Sequence, residues 1–281
     1  MKTAIDLFCG CGGAGTGIER AGFEVILAVD KDPDACESYR MNHPRTHVIC
    51  ADVMNIPRYP AVDFAWLSPP CQAYSMASKK RQRFADHLLK WSLKFVDEFK
   101  PKHWAIENLG SIYDFPEVKP YKRALLNASD FGVPQHRVRT FITNVEIPMV
   151  RYSHVSAGEA LSVIDYRKYG VYPNIGFDWD ISNYRDWGPA KALLDLSKPS
   201  PTVVDQRHGG ILIHKTFMQR NGRLDVPMTK PAPTLTTEGH HFEVQYDGFQ
   251  ARQITLLEAM ILQTFPSDYR LAGSLSSQFE Q

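Results

Sequence analysis

The sequence predicts an α/β protein built on a Rossmann-like, doubly wound, mostly parallel sheet, followed by a smaller irregular or β domain. Three observations carry this expectation. Short apolar runs alternate with helix-patterned stretches through the first half of the chain. The first run ends in a glycine-rich turn, Cys9-Gly10-Cys11-Gly12-Gly13-Ala14-Gly15, that opens into a helix. Polar groups collect after the strands, at the ends where open α/β sheets bind ligands.

Residues 4–8 (AIDLF) make the first strand, and the helix behind the turn closes at Gly22. Residues 24–30 (EVILAVD) read as a second buried strand ending in Asp30, with a helix over 32–42. Residues 48–52 give a third strand ending in Asp52. Residues 62–68 (VDFAWLS) give a fourth, with Pro69-Pro70-Cys71-Gln72 at its C-terminal end. A polar, basic loop follows over 75–84. Leu88, Leu89, Phe95, Val96 and Phe99 then recur at helical spacing until Pro101. Trp104-Ala105-Ile106 leads into Glu107-Asn108 at the end of a fifth strand. Residues 121–128 read as a helix, and 138–143 as a strand just after Gln135-His136-Arg137.

From about residue 146 the rhythm breaks into Pro, Gly, Tyr and Trp with short β-like pieces. This predicts a ligand-binding domain over 1–145, a second domain over 146–249 and a return segment over 250–281 that packs on the first domain. Two stretches with Pro-x-Pro-Thr and β-branched residues, at 198–205 and 230–238, suggest related strand starts; two copies do not make a repeat protein. Thr255-Leu-Leu-Glu258 has the pattern of a capping box, opening an apolar helix through Leu262 that Phe265-Pro266 ends.

The totals limit what such a chain does. Lys and Arg number 32 against 31 Asp and Glu, so any basic surface is local. No apolar run approaches the roughly 20 residues of a membrane span, and the N-terminus lacks a signal peptide's apolar core. The five cysteines show no paired CxxC spacing, as expected of a reduced, cytoplasmic protein.

The residues at the strand ends each admit more than one reading. The glycine turn supplies bare backbone amides and, with Asp30 and Asp52 as acceptors for hydroxyls or an amine, suits an adenosine-type cofactor. Such a turn also arises wherever a strand meets a helix tightly. It lacks the Gly-Lys-Ser/Thr of a P-loop, which disfavours nucleoside triphosphates. Cys9 and Cys11 have no second pair at metal spacing, so small side chains packed in a turn is the better reading. Cys71 is either a small buried hydrophobe or a thiol whose basic neighbours favour the thiolate. Glu107 has the reading of an ordinary strand-end acid. Arg137 and Arg139 alternate, so they share one side of an extended segment, as working residues or as solvated charges.

In order, these pieces resemble the cytosine-C5 DNA methyltransferase family. DLFCGCGGAGTGIERAGF from Asp6 looks like its cofactor motif. Pro69-Pro70-Cys71-Gln72, Glu107-Asn108, Gln135-His-Arg137-Val-Arg139 and the stretch from Arg252 through Thr255-Leu-Leu-Glu258 to Gln263-Thr-Phe265-Pro266 match later motifs in order. Thr234-Leu-Thr236-Thr237 before Glu238-Gly239 resembles the family's threonine-bearing stretch.

The resemblance implies the S-adenosylmethionine methyltransferase fold with a target-recognition domain, and methylation of C5 on a cytosine flipped out of duplex DNA. It implies Cys71 as nucleophile, with Glu107, Arg137 and Arg139 acting on the base. It also implies S-adenosylmethionine held by Asp6, Phe8, Gly10, Gly12, Gly13, Gly15, Asp30, Asp52 and Pro70. DNA contacts are expected from Ser75, Ser78, Lys79, Lys80, Arg81, Arg83, Gln135, Thr236 and Thr237. Within the second domain Arg207, His208, His214, Lys215, Arg220, Asn221 and Arg223 are further candidates. No metal is expected.

The family usually continues into a Gly-Asn motif beyond the point matching Gln281, so a complementing C-terminal polypeptide is an expected partner. A cognate restriction endonuclease is another, for a monomeric enzyme working on bacterial or phage DNA. A tRNA cytosine-5 methyltransferase and a weakly catalytic DNA-binding subunit of a split enzyme are the alternative readings.

Overall fold

Seven strands from the first half of the chain assemble into one sheet: β1 (Lys2–Leu7), β2 (Phe23–Asp30), β3 (His47–Cys50), β4 (Phe64–Leu67), β5 (His103–Leu109), β6 (Arg123–Asn127) and β7 (Val138–Thr143), ordered β3-β2-β1-β4-β5-β7-β6. The computed structural model describes residues 1–70, 86–147, 151–161, 216–219, 225–227, 242–245, 252–253, 256–274 and 277–278. β1 pairs in parallel with β2 and β4, β2 with β3, and β4 with β5, while β7 runs antiparallel to both β5 and β6. The sheet is thus Rossmann-like and mostly parallel, with one reversed strand. Chain order reverses at β1, between β2 and β4, which makes that strand's C-terminal end the natural ligand crevice.

The two faces are buried differently. Ile5 and Leu7 of β1, Leu27 and Val29 of β2, Ala65 and Leu67 of β4 and Ile106 of β5 meet helix α3 (Asp86–Phe99), which contributes Leu89, Leu93, Phe95 and Val96. Each such side chain is worth about 1.5–3 kcal/mol of burial. The opposite face carries α1 (Gly13–Arg20) and α2 (Pro33–Asn42). Ile18 packs on Ala4 and Val25, and Cys36 and Tyr39 pack on Ala28. A register shift of β2 against β1 between Ala4 and Ile5 lets Val25 face α1 while Leu27 faces α3. Asp32 caps α2 by accepting from the amides of Asp34 and Ala35, with Pro33 in the first turn.

One expectation fails. Residues 121–128 do not form a helix; Arg123–Asn127 is the edge strand β6. The run Arg-Ala-Leu-Leu is a good helix former, but pairing with β7 satisfies the strand's backbone along one side and overrides local preference. The connection from β6 to β7 is closed by Asn127, whose side chain accepts from Ser129 and Arg137 amides, and by Gly132 at φ 82°.

A separate antiparallel sheet, ordered β11-β10-β8-β9, contains β8 (Thr216–Gln219), β9 (Asp225–Pro227), β10 (Phe242–Gln245) and β11 (Arg252–Gln253). Two short helices, α4 (Ala157–Leu161) and α5 (Leu256–Leu262), touch each other. Thr255 lies outside the described residues, and Glu258, its expected partner in the capping box, is fully buried. The chain leaves α5 through Thr264 at φ 62°. Among the described residues no helix is long and apolar enough to cross a membrane.

Candidate active site

The turn between β1 and α1 is built by its glycines. Gly10 and Gly12 take φ 51° and 101°, where a side chain is strained, and Phe8 is also forced to φ 57°. A Cβ on Gly15 would stand 2.2 Å from the Tyr39 hydroxyl, so α1 can lie on α2 only with glycine there. Asp30 ties the turn from the next strand: Oδ2 accepts from the Gly10 amide at 2.9 Å, and Oδ1 from the Asp32 amide at 2.9 Å. Asp6 lies behind the turn, fully buried, accepting from the Tyr39 hydroxyl at 3.2 Å. Burial holds its carboxyl well above the usual carboxylate range, and its Oδ1 has no hydrogen-bond partner among the described residues. Cys9 and Cys11 are buried beside it. Burial raises both thiols, Cys11 to about 11, so both pack as neutral thiols.

In front of the turn opens a cleft of about 700 Å3. Phe8, Gly10 and Gly13 form one wall, with Trp66 and Ser68 at the end of β4. Glu107 comes from the end of β5, and Gln135, Arg137 and Arg139 from the segment leading into β7. The antiparallel pairing of β5 with β7 sets Leu109 opposite Arg139 and Glu107 opposite Phe141. From there Arg139 Nε reaches Glu107 Oε1 at 3.0 Å, with both side chains largely buried. Burial and the neighbouring Arg139 cation lower Arg137 to about 10, against the pull of Glu107. Two guanidinium groups facing one carboxylate leave this part of the cleft net positive at neutral pH. Gln135 is fully buried on the same wall, and neither its Oε1 nor its Nε2 finds a partner among the described residues. A buried amide without partners is costly in a resting structure and marks a place where a polar ligand fits.

The sequence candidates therefore sort by position. Phe8, Gly10 and Gly13 line the cleft, as do Glu107, Gln135, Arg137 and Arg139. Gly12 and Gly15 face inward onto side chains behind the turn. Asp30 is the last residue of β2, and Asp52 stands two residues beyond β3, where it accepts from the Met54 amide at 2.9 Å. Pro70 is exposed beyond the end of β4. Cys71, Ser75, Ser78, Lys79, Lys80, Arg81, Arg83, Thr236 and Thr237 lie outside the described residues. So do Arg207, His208, His214, Lys215, Arg220, Asn221 and Arg223.

The sequence pointed to Glu107-Asn108 and to the return segment, but not to what their side chains do. Asn108, almost fully buried, donates from Nδ2 to the Pro69 carbonyl at 3.1 Å, so the end of β5 holds the segment that leads to Cys71. Its place beside Glu107 was the available signal. The cleft also gains Met260, Gln263, Phe265 and Tyr269 from α5 and the segment after it. Nothing local in the sequence ties these to a turn some 250 residues earlier.

A family model described as C-5 cytosine-specific DNA methylase matches residues 2–281. The chain is 29% identical to the Type II methyltransferase M1.HphI of Haemophilus parahaemolyticus, covering 99% of this chain and 82% of that protein. It is 27% identical to the Type II methyltransferase M.HgiDI of Herpetosiphon aurantiacus, covering 99% and 87%. Among solved structures, an E. coli prophage-encoded protein described as a DNA modification methyltransferase superposes with a TM-score of 0.66 at 20% identity, over 99% of this chain and 94% of that one, a likeness of fold.

Proposed function

The chain belongs to the C-5 cytosine-specific DNA methylase family, and from that premise we propose how its own residues methylate cytosine C5 in DNA. The observation that carries the proposal is the single cleft in which the Phe8–Gly13 turn and the Glu107–Arg139 pair face each other.

S-adenosylmethionine, when bound, supplies an electrophilic methyl group on a sulfonium. The residues present fit that cofactor. The turn offers backbone free of side chains at Gly10 and Gly13, the Phe8 ring lines the same wall, and Asp30 and Asp52 stand at successive strand ends. Each carboxylate already accepts backbone amides and has lone pairs left for hydroxyls or an amine. A cleft of about 700 Å3 is the size of a small-molecule pocket.

Cytosine C5 is a weak nucleophile until electrons are pushed into the ring. Cys71, following Pro70, is the nucleophile: its thiolate adds to C6, and the C5–C6 π electrons become available at C5. Glu107 holds or protonates ring N3 and so absorbs the electron density pushed in at C6. Arg139 holds Glu107 in place and, with Arg137, provides fixed positive charge for the base carbonyl. Once C5 is methylated, water takes the C5 proton, the C–H electrons restore the C5–C6 double bond, and the C6–S pair leaves with the thiolate. Asn108 fixes the Pro69 carbonyl and so the start of the Cys71 segment.

A stacked base is out of reach of such a cleft, so the target cytosine is flipped into it. Residues 75–84 close over the DNA, and the domain over 146–249 reads the sequence around the target. The catalytic domain over 1–145 is completed by the return segment over 250–281. Two relatives carry the name Type II methyltransferase, which supports a role beside a site-matched endonuclease.

The test is incubation with labelled S-adenosylmethionine and mixed-sequence duplex DNA. The expected product is 5-methylcytosine, absent with Cys71→Ser. A covalent complex with 5-fluorocytosine DNA that survives Cys71→Ala would overturn the nucleophile. Labelling of tRNA but not of DNA would overturn the substrate.

A further inference from the structure

The segment after α5 is strapped along α2 and onto the glycine turn. Asn42 Nδ2 donates to the Arg270 carbonyl at 2.7 Å, and the Arg270 amide returns to Asn42 Oδ1 at 2.9 Å. The Ala272 amide donates to Ser38 Oγ at 2.8 Å, and Ser277 Oγ to Asp34 Oδ2 at 2.7 Å. At the head of this strap Tyr269 donates its hydroxyl hydrogen to the Cys11 carbonyl at 2.7 Å. Thr16 Oγ1, one turn into α1, donates to the Gly12 carbonyl at 3.0 Å.

Each hydroxyl has one hydrogen, and both are spent on turn carbonyls. Both oxygens also lie beside His43 Nε2, Tyr269 at 3.2 Å and Thr16 at 3.3 Å, so the imidazole edge joins the two hydroxyls in one network. His43 is itself fixed. It is almost fully buried, its ring lies 4.5 Å from Tyr39, and Nδ1 is 3.0 Å from Glu19 Oε2. A Cβ on Gly12 would sit 2.6 Å from the Tyr269 hydroxyl and 2.7 Å from His43 Nε2, so the network fills the space that glycine leaves. Burial pushes the Tyr269 phenol above its ordinary value and keeps it a donor at neutral pH.

We propose that Tyr269 is a positioning residue for the cofactor turn: held by His43, its hydroxyl clasps the Cys11 carbonyl and sets the turn in its ligand-receiving shape. This rests on the reading that the turn holds S-adenosylmethionine. The clasp joins parts of the chain 258 residues apart, so it forms only when the strap after α5 is docked. Its effect falls on binding rather than on chemistry at the base, because Tyr269 reaches the turn and not Glu107 or Arg139.

The experiment measures S-adenosylhomocysteine binding by calorimetry, and KM for S-adenosylmethionine alongside kcat, at a temperature where every variant is folded by circular dichroism. Loss of one hydrogen bond in Tyr269→Phe should weaken binding about 3- to 10-fold and raise KM alike, with kcat nearly unchanged. His43→Ala should weaken binding at least as much, and His43→Gln, which restores a polar group beside the two hydroxyls, should recover part of it. Unchanged binding in Tyr269→Phe overturns the clasp while leaving the cofactor reading intact. A drop in kcat with unchanged affinity also overturns it. Failure of the unaltered protein to bind S-adenosylhomocysteine overturns the cofactor reading and the clasp with it.

Discussion

Arg137→Met should stabilise the fold while removing activity. Arg137 is partly buried beside a second cation, and its guanidinium falls from its ordinary value to about 10, burial first and Arg139 second. At about 1.4 kcal/mol per pH unit, a drop of that size means the folded state carries the guanidinium at a disadvantage of ~3 kcal/mol. Solvent reaching the exposed part of the side chain trims this to ~1–3 kcal/mol. The sign follows from proton binding. From about pH 10 up to the guanidinium's ordinary value the unfolded chain binds the proton and the folded one does not, so stability rises with pH in that window. Below it the penalty is present in full, and methionine removes it while keeping the aliphatic stem. Urea unfolding at pH 7.5 should shift to a higher midpoint with an unchanged slope. Methyl transfer to DNA should fall by about 100-fold or more if Arg137 stabilises charge on the base. An Arg137→Met protein that unfolds earlier in urea refutes the electrostatic account, and one that methylates normally refutes the catalytic role.

Gln135→Leu replaces a buried amide lacking partners with an apolar side chain of similar size. It should raise stability by about 1–2 kcal/mol in urea melts and weaken DNA binding in a filter or anisotropy assay. Stability gained with DNA affinity intact would refute the view that a ligand satisfies Gln135. Asn108→Ala leaves the Pro69 carbonyl without its donor, with an expected loss of about 1–3 kcal/mol and a lower kcat at unchanged cofactor affinity. Equal kcat would show that Asn108 does not hold the Cys71 segment. Gly15→Ala forces a methyl to 2.2 Å from the buried Tyr39 hydroxyl, which should destabilise by about 1–3 kcal/mol and weaken S-adenosylhomocysteine binding in calorimetry. Normal binding would place α1 farther from α2 than the structure shows.

Some of this protein was written locally in its sequence. The run from Asp6 through Gly15 signals a strand, a turn and a helix because the positive φ values at Gly10 and Gly12 favour glycine. The apolar spacing of Leu89, Phe95 and Val96 announces α3 because those residues must share one face. The alternation of Arg137 and Arg139 places both on one side of an extended segment, and both line the cleft. Each of these signals lies within one turn or a few residues, the range over which chain geometry acts without help.

What the tertiary structure decided involves partners far apart in the chain. Residues 123–127 became a strand because β7 was available to pair with them, against their own helical leaning. Glu107 meets Arg139 because β7 runs antiparallel beside β5, a register that neither segment encodes alone. Tyr269 reaches Cys11, and Asn108 reaches Pro69, only after the sheet and its return segment have docked. Hydrogen bonds and ion pairs form wherever folding brings donors and acceptors together. A residue's own type and neighbours fix its local shape, whereas its working partners are fixed by packing.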